Sequence, residues 1–483
     1  MSNSLRQKAT HGVLWSALER FSVQGIQFII SIIMARLLTP DDYGLIGMLS
    51  IFLAISQSLI DSGFSQALIR KQNITEIDFS TVFYFNIVVS SSIYLLLYSF
   101  APSVAEFYNK PELCSVMRVL CFVIIINSLS IVQNAKYIIK IDFKTIAKIS
   151  LIATGISGTI GIYLAYKGYG VWALVYQSLI NATLRLVILW LASKWKPLRT
   201  FSWSSFHELF SFGSKLMISA LIEITYQNIN PIIIGKIFSA SDLGNYTRAH
   251  HFSEFPSSNV TNILQRVTYP ILCNIQNDEK RLRDIYRRFL KLSSYLIFPL
   301  MTGLAAVTYP FISLTIGEQW IFCAQLLQII CFNMMWYPVH AINLNLLQVK
   351  GRSDLFLRLE IIKKIFGVTI ICLTVPLGIV AMCYGGILSS IISLIINTYY
   401  TGKLINVGFL KQMHDLLPIL CLSIGMFLLV QFSINFITNT VIQLIVGVCL
   451  GISIYFLGSY IFKFPELKEV MNIIRRNNKK SYE

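Results

Sequence analysis

Ser16, Arg20, Gln24, Gln27 and Ser31 follow one another at intervals of four, four, three and four residues, so a helix through them carries all five on one face. Lys215, Ser219, Glu223, Gln227 and Asn230 repeat that rhythm closely about two hundred residues later. A third row, Arg248, His251, Ser258, Asn262 and Gln265, shares the face of another helix, and Gln57 stands one turn before Asp61. Asn333 and His340 lie two turns apart further on. Cations and amides in a row can hold an anion, such as a pyrophosphate or an acidic sugar, by charge-assisted hydrogen bonds. A carboxylate among them can exchange a proton or Na⁺. These residues therefore predict an anion cavity in which Arg20 and Arg248 hold phosphate. Gln24, Gln27, Lys215, Gln227, Asn230, His251 and Asn262 line it, and Glu223 and Asp61 couple to an ion.

Every one of these rows sits inside an apolar segment, where a charge costs roughly 2.5–3.5 kcal/mol. Such a row either hydrogen-bonds helix to helix or lines a water-filled cavity. Rows at matching places in the first and seventh segments favour the cavity. Arg20, Arg118, Arg185, Lys215, Arg248 and Arg266 outnumber Glu19, Asp61, Glu223 and Glu254, which suits an anionic cargo. For Arg118, Arg185 and Arg266, snorkelling from a helix end is an equal alternative. For Glu223 the alternative is a fixed salt bridge to an arginine.

The elements that must position these residues are membrane helices. Of 483 residues 55% are hydrophobic and only 13% charged, half the usual globular share of charge. Apolar runs of about 20 residues are long enough to cross a hydrocarbon core. Fourteen are expected: 13–37, 44–61, 82–101, 117–134, 146–166, 171–192, 212–236, 244–272, 292–315, 323–347, 360–378, 382–402, 414–436 and 441–462. With the N-terminus cytoplasmic, thirty of the forty Lys and Arg fall in the termini and inner loops, and four (Arg36, Lys110, Lys167, Lys236) in outer ones. That is the positive-inside bias. It also accounts for the net charge of +17 without nucleic acid, since the basic residues gather in short loops between apolar runs. The apolar stretch from Val13 to Leu37 is too long for a signal-peptide core and is expected to stay as the first helix.

An internal repeat supports the count. Ala35-Arg36-Leu37-Leu38-Thr39-Pro40-Asp41-Asp42-Tyr43-Gly44 has a partner in Gly235-Lys236-Ile237-Phe238-Ser239-Ala240-Ser241-Asp242-Leu243-Gly244, each with a cation followed by a capping box. Leu120-Cys121-Phe122 pairs similarly with Ile330-Cys331-Phe332. Six helices per half make the repeats parallel, about an axis along the membrane normal. The expected organisation is an all-α integral membrane protein: an N-terminal lobe with its linker over 1–200, a second lobe over 201–403, and two further helices with a basic tail over 404–483. Ser193 to Ser211 is the natural linker between lobes.

Other chemistry is missing from the sequence. There is no G-x-x-x-x-G-K-[ST] for ATP, no H-E-x-x-H and no G-x-S-x-G. His250 and His251 are adjacent, so on a helix they point apart. The nine cysteines are scattered singly without a C-x-x-C, as small hydrophobes would be. No metal, cofactor or catalytic residue is expected.

Several stretches resemble the polysaccharide transporter family. They are Ser4-Leu5-Arg6-x-Lys8, Gly12-x-x-Trp15-Ser16, Ala35-Arg36-Leu37-Leu38-x-Pro40-x-Asp42-Tyr43-Gly44, and the run from Asp61 to Lys71. Gly317-Glu318-x-Trp320 and Gln348-x-Lys350-Gly351-Arg352 extend the likeness. It is nearest to the colanic-acid-exporter branch (WzxC) of these Wzx-type flippases, within the multidrug/oligosaccharidyl-lipid/polysaccharide exporter (MOP) superfamily. The resemblance implies a MATE-like fold of two six-helix lobes plus helices 13 and 14. It implies a flippase that carries an undecaprenyl-pyrophosphate-linked oligosaccharide to the periplasmic leaflet of the bacterial inner membrane. Its expected partners are that lipid-linked oligosaccharide, the phospholipid bilayer, and a polysaccharide polymerase and chain-length regulator. A cation-coupled drug antiporter of the same fold, or a membrane-embedded polymerase, is the alternative.

Overall fold

The structure, a computed structural model, describes residues 22–471 apart from Ser62, Gln72, Lys194 and Val470. Every regular element among them is helical. The chain divides into two compact units after Gly244. In the first, α1 (Ser22–Leu37) leads to α2 (Pro40–Asp61), the short α3 (Phe64–Arg70) and the long α4 (Glu76–Phe107). A thrice-segmented span follows as α5 (Glu112–Leu120), α6 (Phe122–Ser128) and α7 (Ile131–Ile139). Then come the α8 (Phe143–Tyr166) and α9 (Val171–Ser193) hairpin, α10 (Trp203–Gln227) and α11 (Ile229–Ile237). Helix α12 (Ala240–Asn274) begins in this unit and runs on into the next. The second unit adds α13 (Glu279–Ala306), α14 (Thr308–Thr315), α15 (Ile321–Met334) and α16 (Tyr337–Val349). It closes with α17 (Ser353–Thr374), α18 (Ile379–Ile405), α19 (Phe409–Ile434) and α20 (Thr440–Ile461).

Local sequence sets where these helices start. Thr75 and Asp78 form a capping box on α4, the Thr75 amide donating to Asp78 Oδ2 at 2.8 Å. Asp142, Ser202, Asp278 and Asn439 each accept a backbone N–H at the first turn of α8, α10, α13 and α20.

Ten of the described helical stretches are long and apolar enough to cross a membrane, and an eleventh follows if bent α10 is one span. Two expected windows form helices that fall outside that set. Residues 244–272 lie in α12, which carries Arg248, His250, His251, Glu254 and Arg266. Residues 360–374 lie in α17, where Arg358, Glu360, Lys363 and Lys364 occupy one end, and Val375–Leu377 form a separate turn. The window 13–37 is described only from Ser22. The segment 193–211, expected as a linker, is fastened into the first unit. Trp195 is buried and its Nε1 donates to Glu76 Oε2 at 2.6 Å. The Leu198 amide donates to Ser80 Oγ, and that of Ser202 to Thr81 Oγ1, both on α4. Helices α10 and α11 pack against α2 within the same unit.

The two repeated corners meet. Thr39 N and Oγ1 donate to Asp42 Oδ2 at 2.9 and 2.7 Å, and Ser239 N and Oγ to Asp242 Oδ2 at 3.1 and 2.8 Å. Five residues beyond each capping residue, the helices cross backbone to backbone. A Cβ on Gly44 would lie 1.8 Å from the Ala240 carbonyl oxygen, and one on Gly244 1.8 Å from that of Pro40. The contact is reciprocal at an offset of two hundred residues, as a local two-fold requires. Gly44→Ala and Gly244→Ala should each destabilise the purified protein by about 3 kcal/mol or more. Gly25→Ala and Gly155→Ala, where a Cβ meets nothing within 4 Å, should leave thermal unfolding nearly unchanged.

Candidate functional site

The polar rows fall on helix faces of contrasting environment. On α1, Gln24 is half-buried with Oε1 lacking a hydrogen-bond partner among the described residues, and Gln27 is exposed. On α10, Glu223 and Gln227 are both exposed, and Gln227 Nε2 donates to Glu223 Oε1 at 3.0 Å. Asn230 on α11 is half-buried. Arg20 lies outside the described residues, as does the side chain of Lys215. The Glu223–Gln227 pair stands beyond a 40° bend between Trp203–Ser214 and Met217–Gln227. Gly213-Ser214 at that joint is a pair of the kind that permits such a kink. Gly63, at φ +68°, comes so close there that a Cβ on it would lie 2.6 Å from the Gly213 carbonyl oxygen.

Asp61 occupies a local role. Its Oδ1 accepts from the Ser65 amide at 3.2 Å and from Ser65 Oγ at 2.6 Å, tying the end of α2 to the start of α3. Gln57, one turn earlier, accepts from Asn127 Nδ2 at 3.4 Å, which joins α2 to α6. Asp61→Ala should therefore cost about 1 kcal/mol of stability through the two lost bonds to Ser65, measured by thermal unfolding.

Beside α3 the charges are paired. Lys71 reaches Asp78 Oδ1 at 3.0 Å and Glu208 Oε2 at 2.9 Å. Burial works against its ammonium, but the two carboxylates accept hydrogen bonds from it and hold its pKa above the ordinary lysine value. Lys136 pairs with Glu76 at 2.8 Å and lies over the rings of Phe79 and Trp195. Phe64, Phe79, Phe83, Trp195 and Leu209 form the apolar core under these pairs.

In the second unit, Arg248 and Asn262 on α12 are half-buried and His251 is exposed. The neighbouring His250 Nδ1 lies 3.5 Å from Glu254 Oε2. An adjoining face carries Ser253, Ser257 and Thr261, all buried, and Ser257 Oγ donates to the Met334 carbonyl at 2.7 Å. That bond links α12 to the end of α15. Deeper in the unit lies a network of which the sequence pointed only to His340. Asn343 on α16 and Gln412 on α19 exchange two 3.0 Å amide hydrogen bonds, and Thr401 on α18 donates to Asn343 Oδ1 at 2.7 Å. His340 touches Ser390 Oγ at 2.9 Å and Asn397 Nδ2 at 3.2 Å. Arg287 grips Asp415 with two 2.6 Å bonds. The signal was polar residues at one-turn spacing, His340/Asn343, Asn397/Thr401 and Gln412/Asp415. No group of three or more His, Cys, Asp or Glu suited to a metal occurs among the described residues.

Removing one partner from this network strands the others in an apolar core. Asn343→Ala should cost about 1–3 kcal/mol in thermal unfolding, and Gln412→Ala a similar amount. The double variant should cost less than their sum, because the stranded partner is gone.

Residues 33–325 match the model of a family described as "Polysaccharide biosynthesis protein". The chain is 25% identical to the teichuronic acid biosynthesis protein TuaB of Bacillus subtilis (strain 168), over 73% of each chain. It is 22% identical to the lipopolysaccharide biosynthesis protein WzxC of Escherichia coli (strain K12), over 83% of this chain and 82% of that one. In fold it is similar to the lipid II flippase MurJ in an inward closed conformation, with a TM-score of 0.74 at 14% identity, covering 93% of this chain and 98% of MurJ. A multidrug resistance MATE family transporter of the MOP superfamily, inward-facing, gives 0.59 at 14% identity over 80% of this chain and 98% of that one.

Proposed function

The chain belongs to the polysaccharide biosynthesis protein family, and from that premise we propose that it is a lipid-linked oligosaccharide flippase. It is a multi-pass membrane protein, and its cargo is an undecaprenyl-pyrophosphate-linked repeat unit carried from the cytoplasmic to the periplasmic leaflet by alternating access. The family match carries this reading. The relatives named for teichuronic acid and lipopolysaccharide biosynthesis, and the flippase and transporter folds, support it. Nothing in this role requires catalysis. Fourteen spans follow if α1, α10 with α11, α12 and α17 cross as well as the ten apolar stretches. Both termini are then cytoplasmic, in the bacterial inner membrane, with two six-helix lobes (1–200 and 201–403) and the last two helices beyond them. A polymerase and a chain-length regulator would take over the cargo on the far side.

Two observations bear on the alternatives. A drug antiporter for cationic drugs would favour an anionic cavity, whereas the polar rows lean cationic. A polymerase would use a long outward loop, but only Tyr108–Pro111, four residues, join α4 to α5. The sugar cargo is therefore preferred.

In the proposed mechanism the arginines, Arg20 and Arg248 among them, hold the pyrophosphate. The amides of Gln24, Gln27, Asn230 and Asn262, with Lys215 and His251, line its path. Glu223 exchanges a proton or Na⁺ as access alternates; it stands exposed on a helix whose other side is apolar, and a lipid-facing carboxylate there would be costly. Glu223→Gln keeps an acceptor for Gln227, so fold and expression should hold while ion-coupled flipping of a defined lipid-linked sugar in vesicles falls about tenfold or more. Near-normal flipping would remove Glu223 as the coupling group. Reporter fusions after Lys110 and Gly317 should read periplasmic and those after Lys144 and Arg283 cytoplasmic; any reversal breaks the fourteen-span arrangement.

A further inference from the structure

Arg118 has surroundings that snorkelling alone would not need. It lies in the last turn of α5 and borders a cavity of about 550 Å³ formed with α4 and α9. Tyr94, Tyr98, Cys114, Phe122 and Leu179 are among its walls, and among the described residues no carboxylate lines it. The guanidinium carbon sits 4.4 Å above the centre of the Tyr98 ring. Its Nε donates to the Tyr98 carbonyl at 3.4 Å, and Tyr94 Oη donates to the Arg118 carbonyl at 3.2 Å. Tyr94 in turn packs edge-on against Phe122, with ring centres 5.8 Å apart. The cation is thereby held in one place by ring and backbone, with its two terminal nitrogens as donors for a ligand.

The depth of the site narrows the ligand. Tyr98 lies nine residues before the end of α4, about 13 Å along the helix, and Arg118 is six residues into α5. In a membrane-crossing α4, a level that near one end lies toward the interface, within reach of a lipid head. Tyr98 and Phe122 remain 43% and 45% exposed, so an apolar surface adjoins the cation. A fixed guanidinium over an aromatic floor beside exposed apolar rings matches a phosphate ester attached to a hydrocarbon chain. We propose that this cavity binds the phosphate head of a membrane lipid, held by Arg118 above Tyr98. The same chemistry is offered by a bulk phospholipid and by a polyprenyl pyrophosphate. The second source rests on the flippase function and would make the cavity a station for cargo at the outer leaflet; the first does not.

The full-length protein in detergent, observed by native mass spectrometry, tests this with phosphatidylglycerol, undecaprenyl pyrophosphate and, as a lipid without phosphate, diacylglycerol. The wild type should retain a phosphate lipid and release diacylglycerol. Arg118→Gln should lower that retention about tenfold. Lys167→Gln should leave it unchanged, since Lys167 is also stacked on a tyrosine, Tyr163, but does not line this cavity. Cys114 supplies a readout that needs no variant: a phosphate lipid should slow its alkylation by N-ethylmaleimide, followed at the level of the peptide, and diacylglycerol should not. Displacement of phosphatidylglycerol by undecaprenyl pyrophosphate would identify cargo as the occupant, and retention of phosphatidylglycerol against it would identify phospholipid. Binding of phosphatidylglycerol stands even if flipping fails in vesicles. Unchanged lipid retention in a folded Arg118→Gln protein, or Cys114 alkylation indifferent to every phosphate lipid, would overturn the proposal and leave Arg118 an interface anchor.

Discussion

The first unit depends on one backbone crossing, Gly44 against Ala240 and Gly244 against Pro40. Inside a bilayer helices gain little from apolar burial, so association relies on close van der Waals approach, and glycine permits the closest. Here the approach is too near for any Cβ. Each glycine is set in place by the capping box one turn before it, Thr39/Asp42 or Ser239/Asp242, which fixes where its helix starts. Lys110 pairs with Asp41 at 3.1 Å and Lys236 packs over the Phe107 ring, so neighbouring connections are anchored at the same end. The duplicated corner thus works as a self-complementary joint, each copy supplying both the glycine and the carbonyl that the other needs.

Polar residues inside the apolar segments divide into two kinds. Asn343, Thr401 and Gln412 are buried and meet one another across helices, and buried Asn397 meets His340. Arg287 and Asp415 do the same as ions, with Asp415 nearly inaccessible. Such groups are costly to separate and suit elements that keep their packing. Gln27, Glu223, Gln227 and His251 are exposed instead, although they share the same helical spacing. Spacing alone reports that a helix face is polar. Whether that face is closed by a neighbour or left open is decided by the surrounding helices.

That distinction explains what could be read from the sequence. The helical class, the apolar segments and the duplicated corner were legible, because run length, capping residues and an offset of two hundred residues are local or self-referring signals. Segment breaks were not: the window 117–134 became three helices interrupted near Cys121 and Leu129, and 323–347 breaks at Met335 and Trp336. Nor could sequence separate Asp61, spent on Ser65, from Glu223, since both are lone carboxylates near amides. The Asn343–Gln412 pair joins residues 69 apart, and no periodicity links them. Lys194, Lys196, Pro197 and Arg199 mark 193–211 as a linker, and sequence could not show that Trp195 and the Leu198 and Ser202 amides find partners on α4.

Helix α10 shows how fastening and freedom can coexist in one element. Its first half is tied at Glu208 to Lys71, and Phe206 and Phe210 stack within 5.2 Å of each other beside Phe64. Its second half carries Glu223 and Gln227 past the 40° bend, where the helix face is open. Gly213 and Ser214 at the joint contribute no bulk to resist a different angle, and Gly63 adapts to the close approach by taking a left-handed backbone conformation. A change in that angle would displace the carboxylate while leaving the aromatic core and the Lys71 pairs where they are. In the proposed mechanism a coupling carboxylate would stand on a segment that moves against a fixed frame; Glu223 lies beyond the bend, whereas Asp61 accepts two hydrogen bonds from Ser65 where α2 meets α3.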